Sequence, residues 1–167
     1  MGSLRKWLLP TGVVVLFVAG WLLLAPVFHS QERVPLIRET TRADYEPLYP
    51  MKIGEVSVLA SVADSPEERQ QGLSNTTMLP DDVVKLFIFD TENKWSFWMK
   101  DMLYSIDMIW VNESGKVVTV KSAVTPETYP ESFTPTDPAR YVIETVAGFA
   151  EQHGIVPGTV VTLPESI

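Results

Sequence analysis

The chain has 167 residues, a net charge of −8 and no cysteine. Its length allows one domain of ordinary size and an appendage, and the lack of cysteine excludes disulfides, iron–sulfur clusters, thiol catalysis and a lipid anchor on cysteine. Residues 51–167 contain eight Lys and Arg against seventeen Asp and Glu, a balance of −9, so we expect no nucleic-acid partner.

An apolar run without any charged residue covers residues 7–28 and follows Arg5 and Lys6. As a helix it would be about 33 Å long, close to the thickness of the hydrocarbon layer. The run is longer than the apolar core of a cleaved signal peptide. Residues 1–29 are therefore predicted to form an uncleaved signal anchor, a single transmembrane helix with a cytoplasmic N-terminus and an extracytoplasmic C-terminal domain.

Residues 30–50 mix charges of both signs with Pro35, Pro47 and Pro50 and show no periodicity. This composition predicts a flexible tether, with the globular domain covering residues 51–167.

Period-two alternation predicts a mainly β domain, with strands at 55–62, 85–89, 116–123, 140–146 and 159–163 and two more within 95–111. Ser65, Pro66 and Glu68 form a capping box that begins a helix, which Gly72 ends. Residues 147–153 form a second short helix, and residues 90–94 a polar turn. Since turns join most of the strands, we expect a small antiparallel, barrel-like sheet with two short helices.

Two acids occupy positions where the pattern is apolar. Asp107 shares a strand face with Ile109 and Val111, and Glu144 also lies on an inward-facing side of its strand. An unpaired carboxylate would be costly there. The acids could be structural, paired with Arg69, Lys100 or backbone donors. They could instead coordinate a hard cation, share a proton or bind a cationic ligand, or act as the acid and base of a hydrolase.

A separate group of residues could bind a ligand. Trp98 and Lys100 share one face of a strand, where an exposed Trp can stack on a sugar ring or another planar group. The proline-rich loop 124–138 carries Tyr129 and Phe133, and long loops often bind ligands. Arg69 could hold a carboxylate or phosphate. No metal site or cofactor is expected, because hard cations require several clustered oxygens and the domain has a single His.

Several short motifs follow one another in order: Arg69-x-x-Gly72-Leu73, Leu86-Phe87-x-Phe89, Phe97-Trp98-Met99-Lys100, Ile106-Asp107-Met108-Ile109, Tyr141-Val142-Ile143-Glu144, Gly148 and Gly154-Ile155-x-x-Gly158. Over about residues 53–163 the chain resembles the uncharacterised family called domain of unknown function 192. The resemblance implies a small, barrel-like, mainly β domain, often behind a signal peptide or membrane anchor, but no activity or cofactor. The chain departs from the family pattern at Val84-Lys85, usually Gly-Met, and at Ser105, usually Pro.

The leading hypothesis is a membrane-tethered ligand-binding or accessory domain of the cell envelope, anchored through residues 7–28. Its ligand would be a small molecule, a glycan or a protein, bound near Trp98, Lys100, Tyr129 and Phe133. An envelope hydrolase that uses Asp107 and Glu144 is one alternative. A structural module that binds a partner protein through an exposed sheet edge or apolar patch is the other.

Overall fold

The computed structural model describes residues 38–165, in which nine strands and two short α-helices follow one another. The strands are β1 (Leu48–Ile53), β2 (Val56–Ala63), β3 (Val83–Asn93), β4 (Phe97–Trp98), β5 (Ile106–Val111), β6 (Val117–Val124), β7 (Ser132–Phe133), β8 (Ala139–Val146) and β9 (Val161–Thr162). The helices are α1 (Pro66–Gln71) and α2 (Phe149–Gln152). The predicted anchor and the start of the predicted tether lie outside the described residues. Within 38–165, no helix has the length and apolar character needed to span a membrane.

Seven strands form one sheet in the order β6-β5-β8-β3-β2-β1-β9, and β4 and β7 form a separate pair. The prediction of an antiparallel sheet is wrong at one position, because β2 and β3 run parallel. A parallel pair needs a long crossover between its strands. Here α1 and the irregular segment after it provide that crossover.

The sheet curls until its two edges meet at one end, which gives the barrel-like shape that the sequence predicts. Lys116 bridges Val160, and the Val161 amide donates to the Gly115 carbonyl at 2.7 Å. Gly115 has a φ of +75°, and a Cβ there would lie 2.9 Å from the Val161 carbonyl oxygen. Only glycine therefore permits this approach of the edges. The mainly β fold with two short helices is confirmed.

Each face of the sheet carries its own apolar core. One core lies inside the curl and includes Ile53, Leu86, Ile109 and Phe149. The other lies on the outer face, where Leu73, Met99 and neighbouring loop residues cover the strands. The alternation predicted for β5 is confirmed, since Ile109 and Val111 join the first core and Met108 and Trp110 the second. All six β5 residues are buried, so the side chain of each one belongs to one core or the other.

The ordered domain begins before the predicted boundary at Met51. Residues Arg42–Tyr45 form a 3-10 turn with Tyr45 buried, and Leu48 and Pro50 already belong to β1. Sequence reasoning did not predict this strand because Pro47 and Pro50 are uncommon in β-strands. Pro50 is tolerated because β9 pairs with β1 only at Lys52 and Ile53, which leaves the Pro50 edge without a strand partner among the described residues.

Two further boundaries differ from the prediction, while α1 agrees with it. Strand β3 continues through Asn93 instead of turning at residue 90, and the first strand of 95–111 shrinks to Phe97–Trp98. The capping box of α1 is confirmed, with the Glu68 amide donating to Ser65 Oγ at 3.2 Å and the Ser65 amide to Glu68 Oε2 at 3.1 Å.

Candidate functional site

Asp107 is fully buried and bound entirely by backbone. Its Oδ1 accepts from the amides of Ala123 at 2.7 Å and Gly148 at 3.1 Å, and its Oδ2 from the amide of Ala150 at 2.8 Å. Ala123 has a φ of +51° at an irregularity in the β5–β6 pairing. The carboxylate therefore connects β5 to the end of β6 and to the first residues of α2. Of the partners expected from the sequence, backbone donors take this role and Arg69 and Lys100 do not.

Asp107 and Glu144 face opposite sides of the sheet. In the β5–β8 pairing, Asp107 lies opposite Thr145 and Met108 lies opposite Glu144. Directly paired residues share a face, and neighbouring residues alternate between faces. Glu144 therefore points to the outer core and Asp107 to the inner one. The expectation that they form one acid–base pair is wrong, because the sheet itself separates them.

Glu144 is buried without a compensating partner. It is 4% exposed, and its Oε2 accepts no hydrogen bond from any described residue. Lys85 lies directly opposite on β3, but its ammonium donates to Ser61 Oγ at 3.2 Å and the Val62 carbonyl at 3.4 Å. Burial raises the pKa of Glu144 to about 8, although the charge of Lys85 acts in the other direction. Burial likewise lowers the pKa of Lys85.

Glu144 also lines a cleft of about 270 Å³ between α1 and the aromatic strands, which we call the Trp98 cleft. Its floor consists of the buried lining residues, namely Leu73, Phe87, Met102 and Glu144. Its rim consists of exposed residues, among them Gln70, Gln71 and Trp98. A carboxyl group with one oxygen unpaired among the described residues therefore lies at the bottom of a partly aromatic cleft.

Aromatic contacts hold one wall of the Trp98 cleft in place. The rings of Phe97 and Phe87 pack edge to face with their centroids 4.8 Å apart, and Trp95 stacks on Phe89 with a centroid distance of 4.1 Å. Trp110 Nε1 donates to the Trp95 carbonyl at 3.0 Å, which secures the segment before β4. Interlocked rings of this kind lose little freedom when a ligand binds.

Trp98 is exposed beside this ordered wall. Its side chain is 54% exposed and packs edge-on against Tyr129, with the two ring centroids 6.1 Å apart. The β4–β7 pairing places Phe133 opposite Phe97 and Ser132 opposite Trp98. The structure thus brings Trp98 and Tyr129 together, whereas Phe133 lies with Phe97 on the other face of the β4–β7 pair.

Arg69 braces the cleft instead of pairing with an acid. Its Nη1 donates to the carbonyls of Asp64 and Ile88, the latter at 2.9 Å, and its guanidinium lies 5.1 Å from the Phe89 ring centroid. These contacts join α1 to β3. Arg69 lines the Trp98 cleft, but the contacts that it makes are structural, since they connect α1 to β3.

A second hollow of about 270 Å³ adjoins the Trp98 cleft and has a polar lining. It contains Lys100, Asn75 and Asp101, and it shares Trp98, Gln70, Gln71 and Ser74 with the first. We call this space the polar hollow. Sequence reasoning missed Gln70, Gln71 and Asn75 as candidate site residues. A signal existed for the two glutamines, because α1 has no apolar side chain besides Pro66 and none of its residues is buried.

A larger groove of about 480 Å³ lies elsewhere, between β1, β2 and the residues after β9. Its lining includes Tyr49, Val58 and Leu163, and it contains no buried, unpartnered polar atom among the described side chains. Across residues 38–165, no three His, Asp or Glu side chains cluster as a metal site would require. The Trp98 cleft is therefore the candidate site, because aromatic walls, amides and an unsatisfied acid meet there.

Comparison with known proteins gives the fold and the family. A protein of Sinorhizobium meliloti 1021, provisionally described as a transcription regulator, shares 23% identity at a TM-score of 0.65, covering 68% of this chain and 92% of that one. A protein of unknown function from Novosphingobium aromaticivorans DSM 12444 shares 22% identity at a TM-score of 0.66, covering 70% and 85%. No curated protein matches. The model of the family DUF192, uncharacterized ACR, matches residues 50–163, and the chain belongs to this family.

Proposed function

We propose that this protein is a membrane-tethered, extracytoplasmic binding domain whose ligand is a saccharide held in the Trp98 cleft and the polar hollow. The observation that carries the proposal is the 54% exposure of Trp98 at the junction of the two spaces. The other rings of the wall are buried or half-buried against one another. A large ring left in water beside amide side chains suits a ligand with both apolar faces and hydroxyl groups.

The polar hollow supplies the hydrogen-bonding groups that a sugar needs. Gln70, Gln71 and Asn75 each offer an amide donor and acceptor, while Lys100 and Asp101 add charged groups. Together the two spaces can accept a ring against Trp98 and its hydroxyls against α1. The acidic balance of −9 over residues 51–167 disfavours a phosphate-rich partner, so a regulator that binds DNA is not proposed.

The binding test compares the full-length chain with Trp98→Ala, both in a polyoxyethylene detergent that carries no sugar headgroup. Saturation-transfer NMR on a panel of saccharides identifies binders, and calorimetry measures Kd. We expect binding at least about tenfold weaker in Trp98→Ala, about 1.4 kcal/mol. Val156→Ala is the matched control, since Val156 is 57% exposed and does not line the cleft. A panel without binders, or equal binding by Trp98→Ala, would contradict the proposal.

The proposed topology has its own test, which exploits the absence of cysteine. Ser114→Cys lies in the exposed turn before β6, and Ser3→Cys precedes the apolar run. In intact spheroplasts, a membrane-impermeant maleimide should label Ser114→Cys only, and Ser3→Cys should react after permeabilisation. The reverse pattern would place the domain in the cytoplasm.

One observation favours a second candidate, a module that binds a protein by strand addition. Residues 48–51 of β1 have no second strand partner among the described residues, and the 480 Å³ groove runs beside them. Pro50 lacks the amide that such pairing would use, which makes this edge the weaker candidate. A cross-linker at Tyr49 that joins a discrete partner in membranes would support it.

A further inference from the structure

The floor of the Trp98 cleft contains a buried carboxyl group with one oxygen that no described residue pairs. Glu144 Oε2 is a buried side-chain polar atom without a hydrogen-bond partner in the part of the chain that the structure describes. Such a group ordinarily costs free energy, and native proteins retain few of them. Because Glu144 also lines the cleft floor, its carboxyl group lies beside the space that a ligand would fill.

The charged neighbours of Glu144 are already engaged. Lys85 is hydrogen-bonded to Ser61 and Val62, and Arg69 uses Nη1 to bind two carbonyls. Tyr104, whose hydroxyl lies 2.8 Å from Thr76 Oγ1, feels the Glu144 charge but does not bind the carboxyl. Met108, the partner of Glu144 on β5, and Phe87, two residues beyond Lys85 on the same face of β3, carry no charge. The described residues therefore leave Glu144 Oε2 without a donor, and a ligand in the cleft can supply one.

The walls of the cleft favour a positively charged donor. Phe87, Phe97 and Trp98 line the cleft together with Glu144, and aromatic rings attract ammonium groups within about 6 Å. A carboxyl below aromatic walls is a common way to receive a protonated amine. A neutral hydroxyl would gain the hydrogen bond but neither charge interaction.

We propose, resting on the saccharide-binding function above, that the ligand carries a primary ammonium group on a sugar-sized ring and that Glu144 receives this group. Trp98 would hold the ring, and Glu144 would select the amino sugar over its hydroxyl analogue. Glu144 is in this assignment a specificity-determining residue.

The assignment predicts a proton released on binding. Free Glu144 has a pKa of about 8 and carries a proton at neutral pH, with Lys85, Tyr104 and Arg69 as the titratable groups around it. The ammonium needs the carboxylate, so its binding displaces that proton. Below pH 8, the affinity for the amine should therefore increase by up to about tenfold for each unit by which the pH is raised. The affinity for a neutral sugar should not change with pH.

The experiment compares 6-amino-6-deoxyglucose with glucose on the full-length chain in the same detergent. The wild type should bind the amine at least about tenfold more tightly at pH 8, and Glu144→Gln should bind both sugars with the affinity of the wild type for glucose. Trp98→Ala should weaken both. Equal wild-type binding of the two sugars would overturn this inference alone, while failure to bind either would contradict the saccharide proposal as well.

A second measurement needs no variant, and so it does not depend on whether Glu144→Gln folds. The ¹³Cδ resonance of Glu144 reports its titration in the wild type. Saturating amine should lower the apparent pKa of Glu144 by at least one pH unit, and glucose should leave it unchanged. An unaltered titration in the presence of bound amine would show that the ammonium lies elsewhere.

Discussion

Asp107 and Glu144 are buried carboxyls on adjacent strands, and their surroundings differ in every respect. Asp107 lies in the inner core with three amide donors, whereas Glu144 lies in the outer core with an oxygen that accepts no hydrogen bond from residues 38–165. Asp107 is fully buried, whereas Glu144 lines a cleft. A satisfied buried acid is part of the architecture. An unsatisfied acid at the floor of a cleft is a candidate for recognition.

Removing the Asp107 carboxylate should produce the largest effect. Asp107→Ala leaves three buried amides without acceptors, so we expect a loss of about 3–5 kcal/mol in the free energy of unfolding. Urea denaturation of the full chain, followed by tryptophan fluorescence, measures it. Asp107→Asn is the matched control, because it keeps one acceptor and should lose clearly less. A loss below about 1 kcal/mol in Asp107→Ala would remove the contrast between the two acids.

Glu144→Gln should act in the opposite direction, and only at high pH. The pKa of Glu144 rises from an ordinary 4.5 to about 8 on folding, so the folded chain keeps a proton that the unfolded chain has lost between these values. The associated stability is complete below about pH 4.5 and disappears as pH rises through about 8. At pH 9 we therefore expect Glu144→Gln to unfold with roughly 2–4 kcal/mol more free energy than the wild type.

The same denaturation series at pH 5 provides the control for this prediction. There the wild-type Glu144 is mostly neutral, and the two proteins should agree to within about 1 kcal/mol. Wild-type stability that stays level from pH 5 to 9 would show that Glu144 is neutralised by a contact the geometry does not reveal.

Arg69→Met should have the smallest effect of the three. The substitution removes two hydrogen bonds to carbonyls and a contact with Phe89, but no partner of a buried acid. We expect a loss of about 1–2 kcal/mol, independent of pH between 5 and 9. If the loss of unfolding free energy in Arg69→Met instead changed with pH as Glu144 titrates, Arg69 and Glu144 would interact. Glu144 would then have a charged partner, and its contrast with the fully paired Asp107 would be smaller.

Sequence reasoning identified much of this domain because several signals are local. Ser65, Pro66, Glu68 and Gly72 determine the bounds of α1 through contacts within one helix, and the alternation of β5 follows from its own six residues. It also selected Trp98 and Tyr129, which the structure places together, although Phe133 lies on the opposite face of the β4–β7 pair. It failed where the outcome depends on distant partners, as with Pro50 on a strand edge and Arg69 on two carbonyls.

By itself, the sequence determined the mainly β character of the domain, the start of α1, the acidic balance and the presence of two acids, Asp107 and Glu144, at apolar positions. These properties depend on composition and on the period of a single strand or helix. Only the tertiary structure decided which face each acid occupies relative to the other. That outcome depends on the register between β5 and β8, and a shift of one residue in register would reverse it.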